Sequence, residues 1–252
     1  MPQQKPDIYP PASDEAAFWQ GSACARDLIR QENKLLQKLD ERLFGRFMLQ
    51  LGGQQTGCPM PCFSGVRKQF VIQPQAQGTG DLRALPRQLP IASSSVNVFY
   101  LAHVLEFSDD PHALLREVDR TLIPGGRLLL SCFNPFGLYG LARLLGRDYP
   151  WSGRFIGRHR LLDWLNLLGF QVEMIEHLGY KPPLSNQLLH DRFSLLERLG
   201  PRLWPQMGAA FLVLAVKTEA PLSLLRPSWK KKRGFVPQGG IAEPTTRTDH
   251  HG

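Results

Sequence analysis

Two apolar runs separated by one helix-length segment constrain the fold of this chain more than any other feature. VNVFYLA (residues 96–102) and RLLLSCF (127–133) are nearly continuous stretches of β-prone residues, as is typical of parallel strands covered on both faces. Between them, apolar residues recur at helical spacing over residues 114–122, and Asp110 followed by Pro111 can begin a helix. The segment therefore predicts a βαβ unit with a right-handed crossover.

Similar patterns recur on both sides of this unit. Their alternation predicts an α/β fold, a doubly wound and mostly parallel sheet with helices on both faces. The other predicted strands are FMLQL (47–51), VRKQFVIQ (66–73), FQVEMIEHL (170–178) and AAFLVLAVK (209–217), and the other predicted helices cover residues 24–44, 158–169 and 191–200.

The composition changes at both ends of the chain. Residues 1–20 are rich in Pro, Gln and Ser and predict a flexible lead-in, residues 21–219 form the predicted domain, and residues 220–252 have no periodicity and predict a disordered tail. The tail holds six Lys and Arg against two acidic residues, about half of the net charge of +8. Its run Trp229–Arg233 could bind nucleic acid or an anionic membrane surface, but a solvated extension is the more common reason for such a run.

Several classes of protein are disfavoured by the composition. No window approaches the ~18 apolar residues of a membrane span. Four cysteines are too few and too scattered for a disulfide framework, so a reduced, cytoplasmic setting is expected. Cys58 and Cys62 have three residues between them and no second Cys or His pair nearby, so no metal site is expected.

Residues 85–177 resemble the class I S-adenosylmethionine-dependent methyltransferases of the type 11 kind, in particular a bacterial group. The likeness implies a Rossmann-like, seven-stranded sheet that binds S-adenosylmethionine at the carboxyl ends of strands one, two and four. It rests on four segments in the family's order: LPIASSSVNV (89–98), HVLEFSDDPHALLREVDRTL (103–122), PGGRLLLS (124–131) and LDWLNLLGFQVE (162–173).

The resemblance also implies which residues contact the cofactor. The family's glycine loop after strand one corresponds to LQLGGQ, where Gly52 and Gly53 remain but the acidic residue is missing. The acid expected after strand two, which would bind the ribose, is replaced by Gln73. The residue expected near the adenine depends on the alignment. If Leu89-Pro90 matches the family's Leu-Pro pair, Leu85 lies at that position; if Leu85-Pro86 matches it, Asp81 does.

His103 follows the fourth strand directly and is the candidate for a catalytic base or a contact to the cofactor. A role of His103 in proton transfer is slightly less favoured than the alternative that it only satisfies a buried backbone carbonyl. The preferred role of His103 is to line the pocket. The sequence thus predicts a methyltransferase with an unidentified acceptor. The alternative is an inactive binding module that kept the fold and lost the cofactor motif. The oligomeric state is not predicted.

Overall fold

A computed structural model describes residues 11–53, 62–73, 81–144, 146, 148–183 and 192–218. Its centre is a seven-stranded sheet in the order β3-β2-β1-β4-β5-β7-β6. The strands are β1 (Phe44–Gly52), β2 (Gly65–Gln73), β3 (Leu82–Arg83), β4 (Val96–Ala102), β5 (Leu122–Phe133), β6 (Phe170–Leu178) and β7 (Ala210–Lys217).

The strand directions confirm the predicted sheet. β1 to β5 are parallel to one another, whereas β7 is antiparallel to both β5 and β6. The chain passes outward from β1 to β2 and β3, then returns to form β4 on the other side of β1. This reversal opens a crevice at the carboxyl ends of β1 and β4, where ligands of open α/β sheets bind.

Helices cover both faces of the sheet, as predicted. Leu36, Leu39 and Leu43, in and just after helix α2, pack on one face. Helices α3 and α5 pack on the other face through residues such as Val118 and Leu161. The helices are α1 (Ala12–Gly21), α2 (Ala23–Lys38), α3 (Pro111–Thr121), α4 (Leu138–Ala142), α5 (Arg158–Leu167) and α6 (Ser194–Leu203).

The predicted βαβ unit is present as β4, α3 and β5. Asp110 caps α3, with its carboxylate accepting a hydrogen bond from the backbone N–H of Ala113 at 2.9 Å. One boundary differs from the prediction. β5 already begins at Leu122 and includes Pro124-Gly125-Gly126, because the register with β4 shifts between Val96 and Val98 and the strand continues through the irregularity.

The prediction of a flexible lead-in over residues 1–20 is wrong for residues 12–20. They belong to α1, because Trp19 lies only 1% exposed against the core. Burial of an aromatic side chain of this size stabilises a helix that its own composition would not. Residues 1–10 and the predicted tail, residues 220–252, lie outside the described residues.

The described part of the chain contains no helix that is long and apolar enough to cross a membrane. It also contains no group of three or more His, Cys, Asp or Glu side chains arranged to hold a metal ion. Cys24 and Cys132 are buried free thiols and Cys62 is exposed, whereas Cys58 lies outside the described residues.

Candidate functional site

The residues predicted to contact the cofactor lie along one edge of the sheet. Gly52 ends β1 and Gly53 follows it, Gln73 ends β2, Leu85 comes shortly after β3, and His103 directly follows β4. The strands are parallel and in register here, so these positions meet at the carboxyl edge. The structure thus brings together side chains that are up to about fifty residues apart in sequence.

The two glycines at the end of β1 have left-handed backbones, with φ of +81° at Gly52 and +74° at Gly53. A Cβ atom on Gly52 would lie 2.4 Å from the carbonyl oxygen of Ala102 and 2.3 Å from a methyl group of Val104. Glycine at position 52 is therefore required by the close approach of β4. On Gly53, a Cβ atom would lie 2.9 Å from the Ala102 side chain.

Amide side chains occupy the places where the family has acids. Gln50 donates from Nε2 to the carbonyl oxygen of Gly52 at 2.8 Å, which supports the glycine turn. Its Oε1 is buried and accepts no hydrogen bond from any described residue. Gln73 is buried at the end of β2.

The two alternatives for the adenine contact have different surroundings. Leu85 is 65% exposed. Asp81 uses its carboxylate to accept a hydrogen bond from the backbone N–H of Val71 at 2.8 Å. Asp81 therefore already has a structural role on β2, whereas Leu85 presents an open apolar surface.

His103 is held in a strained position at the end of β4. Its φ is +52°, in the left-handed region that side chains with a Cβ atom rarely adopt. The backbone N–H donates to the carbonyl oxygen of Ser131 at 3.0 Å. The ring itself pairs with carboxylates, since Nε2 lies 2.8 Å from Glu32 Oε1 and Nδ1 lies 3.6 Å from Glu106 Oε1.

These carboxylates determine the charge of His103. Burial alone would lower the pKa of the imidazole, but the charge and the hydrogen bond of Glu32, together with the nearby Glu106, outweigh it and raise the pKa to about 10. His103 is therefore protonated near neutral pH. A protonated imidazole cannot accept a proton, so this geometry suits a positioning or lining role better than that of a base.

Helix α1 covers this charged cluster. The Trp19 ring lies 5.2 Å from the His103 ring, and Trp19 Nε1 donates to the hydroxyl of Tyr149 at 2.9 Å. Burial raises the pKa of Glu15, also on α1, to about 7, and the positive charge of His103 partly offsets this rise. The end of β4 is thereby shielded from water by one aromatic layer.

Sequence reasoning missed Glu32, Glu15 and Trp19. Glu32 lies on the apolar stripe of α2, four residues after Leu28 and four before Leu36, and a charged residue in such a stripe signals a buried partner. Trp19 was hidden in a Pro-rich start, although the neighbouring pair Phe18-Trp19 is itself a sign of core packing.

A cavity of about 540 Å³ lies beside this cluster and contains none of the five predicted contact residues. α1 forms one side of it, and Gly146, Asp148, Tyr149, Trp151 and Pro183 form other parts. Tyr149 joins the two regions, because it lines the cavity and also accepts the hydrogen bond from Trp19. Of the aromatic residues in the segment after β5, Tyr149 and Trp151 line this cavity, Tyr139 and Phe155 are buried in the core, and Phe136 is exposed.

Comparison with known proteins identifies the family. The family model described as a methyltransferase domain matches residues 68–130. The uncharacterized protein YafS of Escherichia coli is 38% identical over 212 residues, which cover 81% of this chain and 80% of that protein. The chain belongs to the same family as that protein and is a class I S-adenosylmethionine-dependent methyltransferase. Its cofactor is S-adenosylmethionine.

Other relatives of this methyltransferase are more distant. A ubiquinone biosynthesis O-methyltransferase of Xanthomonas oryzae is 26% identical over 160 residues, covering 60% of this chain and 67% of that protein. Solved methyltransferases that use the same cofactor, from Aquifex aeolicus and Archaeoglobus fulgidus, share the fold, with TM-scores of 0.51 and 0.52 and identities of 12% and 14%. They cover 82% and 75% of this chain, and 99% and 94% of their own chains is matched. The comparisons give no support to an inactive binding module.

Proposed function

We propose that the methyltransferase binds S-adenosylmethionine at the carboxyl edge of β1 to β4, lined by Gly52, Gly53, Gln73, Leu85 and His103. The observation that carries this proposal is the convergence of all five positions on one edge of the sheet, next to the reversal in strand order. Ligand binding at this place follows from the topology of open α/β sheets.

Three features of the edge fit the cofactor. The left-handed turn at Gly52 and Gly53 leaves backbone without side chains at the end of β1. The buried Oε1 of Gln50, which has no hydrogen-bond donor among the described residues, can accept one from a ligand group. The exposed side chain of Leu85 offers an apolar surface to an aromatic base.

When bound, the cofactor supplies a methyl group on a positively charged sulfur, and the electrons of the broken carbon–sulfur bond remain on that sulfur. The chain's own contribution is to orient the reactants and to exclude water. Protonated His103, fixed between Glu32 and Glu106, keeps its proton and holds the end of β4 in position.

Titration calorimetry with S-adenosylmethionine and S-adenosylhomocysteine tests this placement. The wild-type chain should bind both with micromolar affinity, which corresponds to about 8 kcal/mol. Leu85→Asp should weaken both by roughly tenfold, because it replaces an apolar contact with the base by a charge. Leu167→Asp is the control, since Leu167 is also an exposed leucine but lies at the end of α5.

Two outcomes would count against the proposal. Absence of binding to the wild-type chain would contradict the function. Equal affinity of the wild-type and Leu85→Asp chains would contradict the position of Leu85 at the base. Gly52→Val does not provide such a test, because its side chain would strike Ala102 and Val104 and disturb the fold itself.

A further inference from the structure

The cavity beside α1 is separate from the proposed cofactor edge but in contact with it. Asp14, Ala17, Phe18 and Gly21 have the spacing of a single helix face, and all four line the cavity. The adjoining part of the helix carries Trp19, whose ring contacts His103. One helix thus forms a wall of the cavity and the cover over the end of β4.

Aromatic rings form much of the cavity wall. Phe18 lies edge to face with Tyr149, with ring centroids 5.6 Å apart, and with Trp151 at 6.3 Å. Aromatic faces carry negative electrostatic potential and attract cations, by about 0.5–2 kcal/mol for a well-placed pair. Such walls accept an apolar skeleton and favour a positive group attached to it.

The charged side chains that line the cavity are all negative. Its charged lining residues are Asp14 and Asp148, although the whole chain has a net charge of +8. Neither carboxylate forms an ion pair with any residue in the described part of the chain. Asp14 accepts a hydrogen bond from the neighbouring Ser13 hydroxyl at 3.1 Å. Two carboxylates that pair with no cation among the described residues, placed beside aromatic rings, match an organic cation.

Arg143, five residues before Asp148, has other contacts. Arg143 donates from Nε to the carbonyl oxygen of Trp151 at 3.2 Å, and its guanidinium lies 5.4 Å from the centre of the Phe155 ring. It thereby supports the position of Trp151 in the wall instead of neutralising an aspartate.

We propose that this cavity binds an organic ammonium ion with an aromatic or apolar skeleton. This proposal rests on the lining of the cavity and not on the proposed function. The contact from Tyr149 through Trp19 to His103 connects the cavity with the end of β4. The positive group lies at Asp14 and Asp148, and the apolar skeleton lies against Phe18 and Trp151.

Binding of a small cation and of its neutral counterpart to the full chain tests this proposal. The probes are phenethylamine, which is protonated at pH 7, and 2-phenylethanol, titrated by calorimetry. Phenethylamine should bind about tenfold more tightly than 2-phenylethanol, because only the cation gains from the carboxylates and ring faces. Raising the salt concentration from 0.05 to 0.5 M should reduce this preference, since the carboxylates are exposed.

Substitutions of lining residues test whether the preference for phenethylamine over 2-phenylethanol arises in the cavity. Asp148→Asn should remove most of the preference for phenethylamine, and Asp14→Asn combined with it should abolish the preference. Asp163→Asn is the matched control, because it removes an exposed carboxylate from α5, outside the cavity, and should change nothing. Trp151→Leu should weaken the binding of both probes, and circular dichroism should show that each variant is folded.

The outcomes separate this proposal from the proposed function. Equal binding of the two probes, no binding of phenethylamine at millimolar concentration, or an equal effect of Asp163→Asn and Asp148→Asn would overturn the cation site. S-adenosylhomocysteine is titrated into the same samples. If it binds and phenethylamine does not, the cation site alone fails. If phenethylamine binds with the expected preference and S-adenosylhomocysteine does not, the cation site stands and the proposed function fails.

Discussion

The edge of the sheet proposed to bind the cofactor has two parts that differ in charge. The ends of β1 and β2 carry the neutral amides Gln50 and Gln73, where the family has acids. The end of β4 carries a buried cluster of two carboxylates and a protonated imidazole, formed by Glu32, His103 and Glu106. The ends of β1 and β2 are therefore neutral, whereas the end of β4 on the same edge of the sheet carries acidic side chains.

The fold therefore accommodates the altered glycine loop at the end of β1. The turn at Gly52 is fixed by contacts to Ala102 and Val104, which are internal to the protein. The cluster at β4 depends on α2, since Glu32 comes from that helix. The β1 part is accordingly maintained by close packing and the β4 part by electrostatics, and the two should respond differently to substitution.

The largest difference is expected when each part loses one polar side chain. Glu32→Ala leaves the buried charge of His103 with only Glu106 and should lower the free energy of unfolding by about 3–5 kcal/mol. Gln50→Ala removes one neutral hydrogen bond and should cost about 1 kcal/mol. Glu173→Ala, which breaks the surface pair with Arg42, should cost under about 1 kcal/mol. Urea unfolding measures all three, and equal losses for Glu32→Ala and Gln50→Ala would contradict the comparison.

A smaller effect is expected from pH. The pKa of His103 is raised from 6.5 to about 10, so the stability it contributes is fully present below about pH 6.5 and is lost as the pH rises through about 10. Between pH 7 and 9 the free energy of unfolding should fall by roughly 2 kcal/mol. Glu15, with a pKa raised to about 7, gives a further decrease between about pH 4.5 and 7, below this window.

Glu32→Gln provides the control for the effect of pH. It removes the charge that holds the proton on His103 but keeps a side chain of the same shape, so the decline between pH 7 and 9 should become shallower. Gln50→Ala should leave the slope unchanged. An unchanged slope in Glu32→Gln would mean that His103 is not the group responsible.

The smallest difference in stability is expected between alanine substitutions of two glycines that have left-handed backbone conformations. Gly125→Ala adds a Cβ atom with no neighbour within 4 Å and should cost about 1 kcal/mol from its backbone conformation alone. Gly52→Ala has a similar φ but meets Ala102 and Val104, so its loss should be about 1 kcal/mol greater. Thermal unfolding compares the two variants. Equal losses would show that the end of β1 can shift away from β4.

The sequence predicted the fold well wherever one segment carries its own signals. The unit of β4, α3 and β5 has apolar runs, helical spacing and the Asp110 cap within forty residues, and the structure contains all of them. The helix α1 was not predicted, because the burial of Trp19 depends on Phe133 and Tyr149, which are more than a hundred residues away. Long-range packing of this kind leaves little trace in local composition.

The candidate site was predicted only in part for the same reason. Positions at the ends of strands, such as Gln73 and His103, follow from the order of the elements and from the family resemblance. The partner of His103 does not, because Glu32 lies on another helix and meets the ring only after folding. The cavity beside α1 was likewise hidden, since it joins α1 to a segment that follows β5.

Hydrogen–deuterium exchange of the full chain, with and without S-adenosylhomocysteine, tests most directly whether the cofactor lies at the carboxyl edge of β1 to β4. Bound S-adenosylhomocysteine should slow exchange in peptides that contain Gly52 and Gly53, Gln73, Leu85 and His103. Exchange in β6, at the far side of the sheet, should be unchanged. Binding accompanied by slower exchange elsewhere, with these peptides unaffected, would contradict the account.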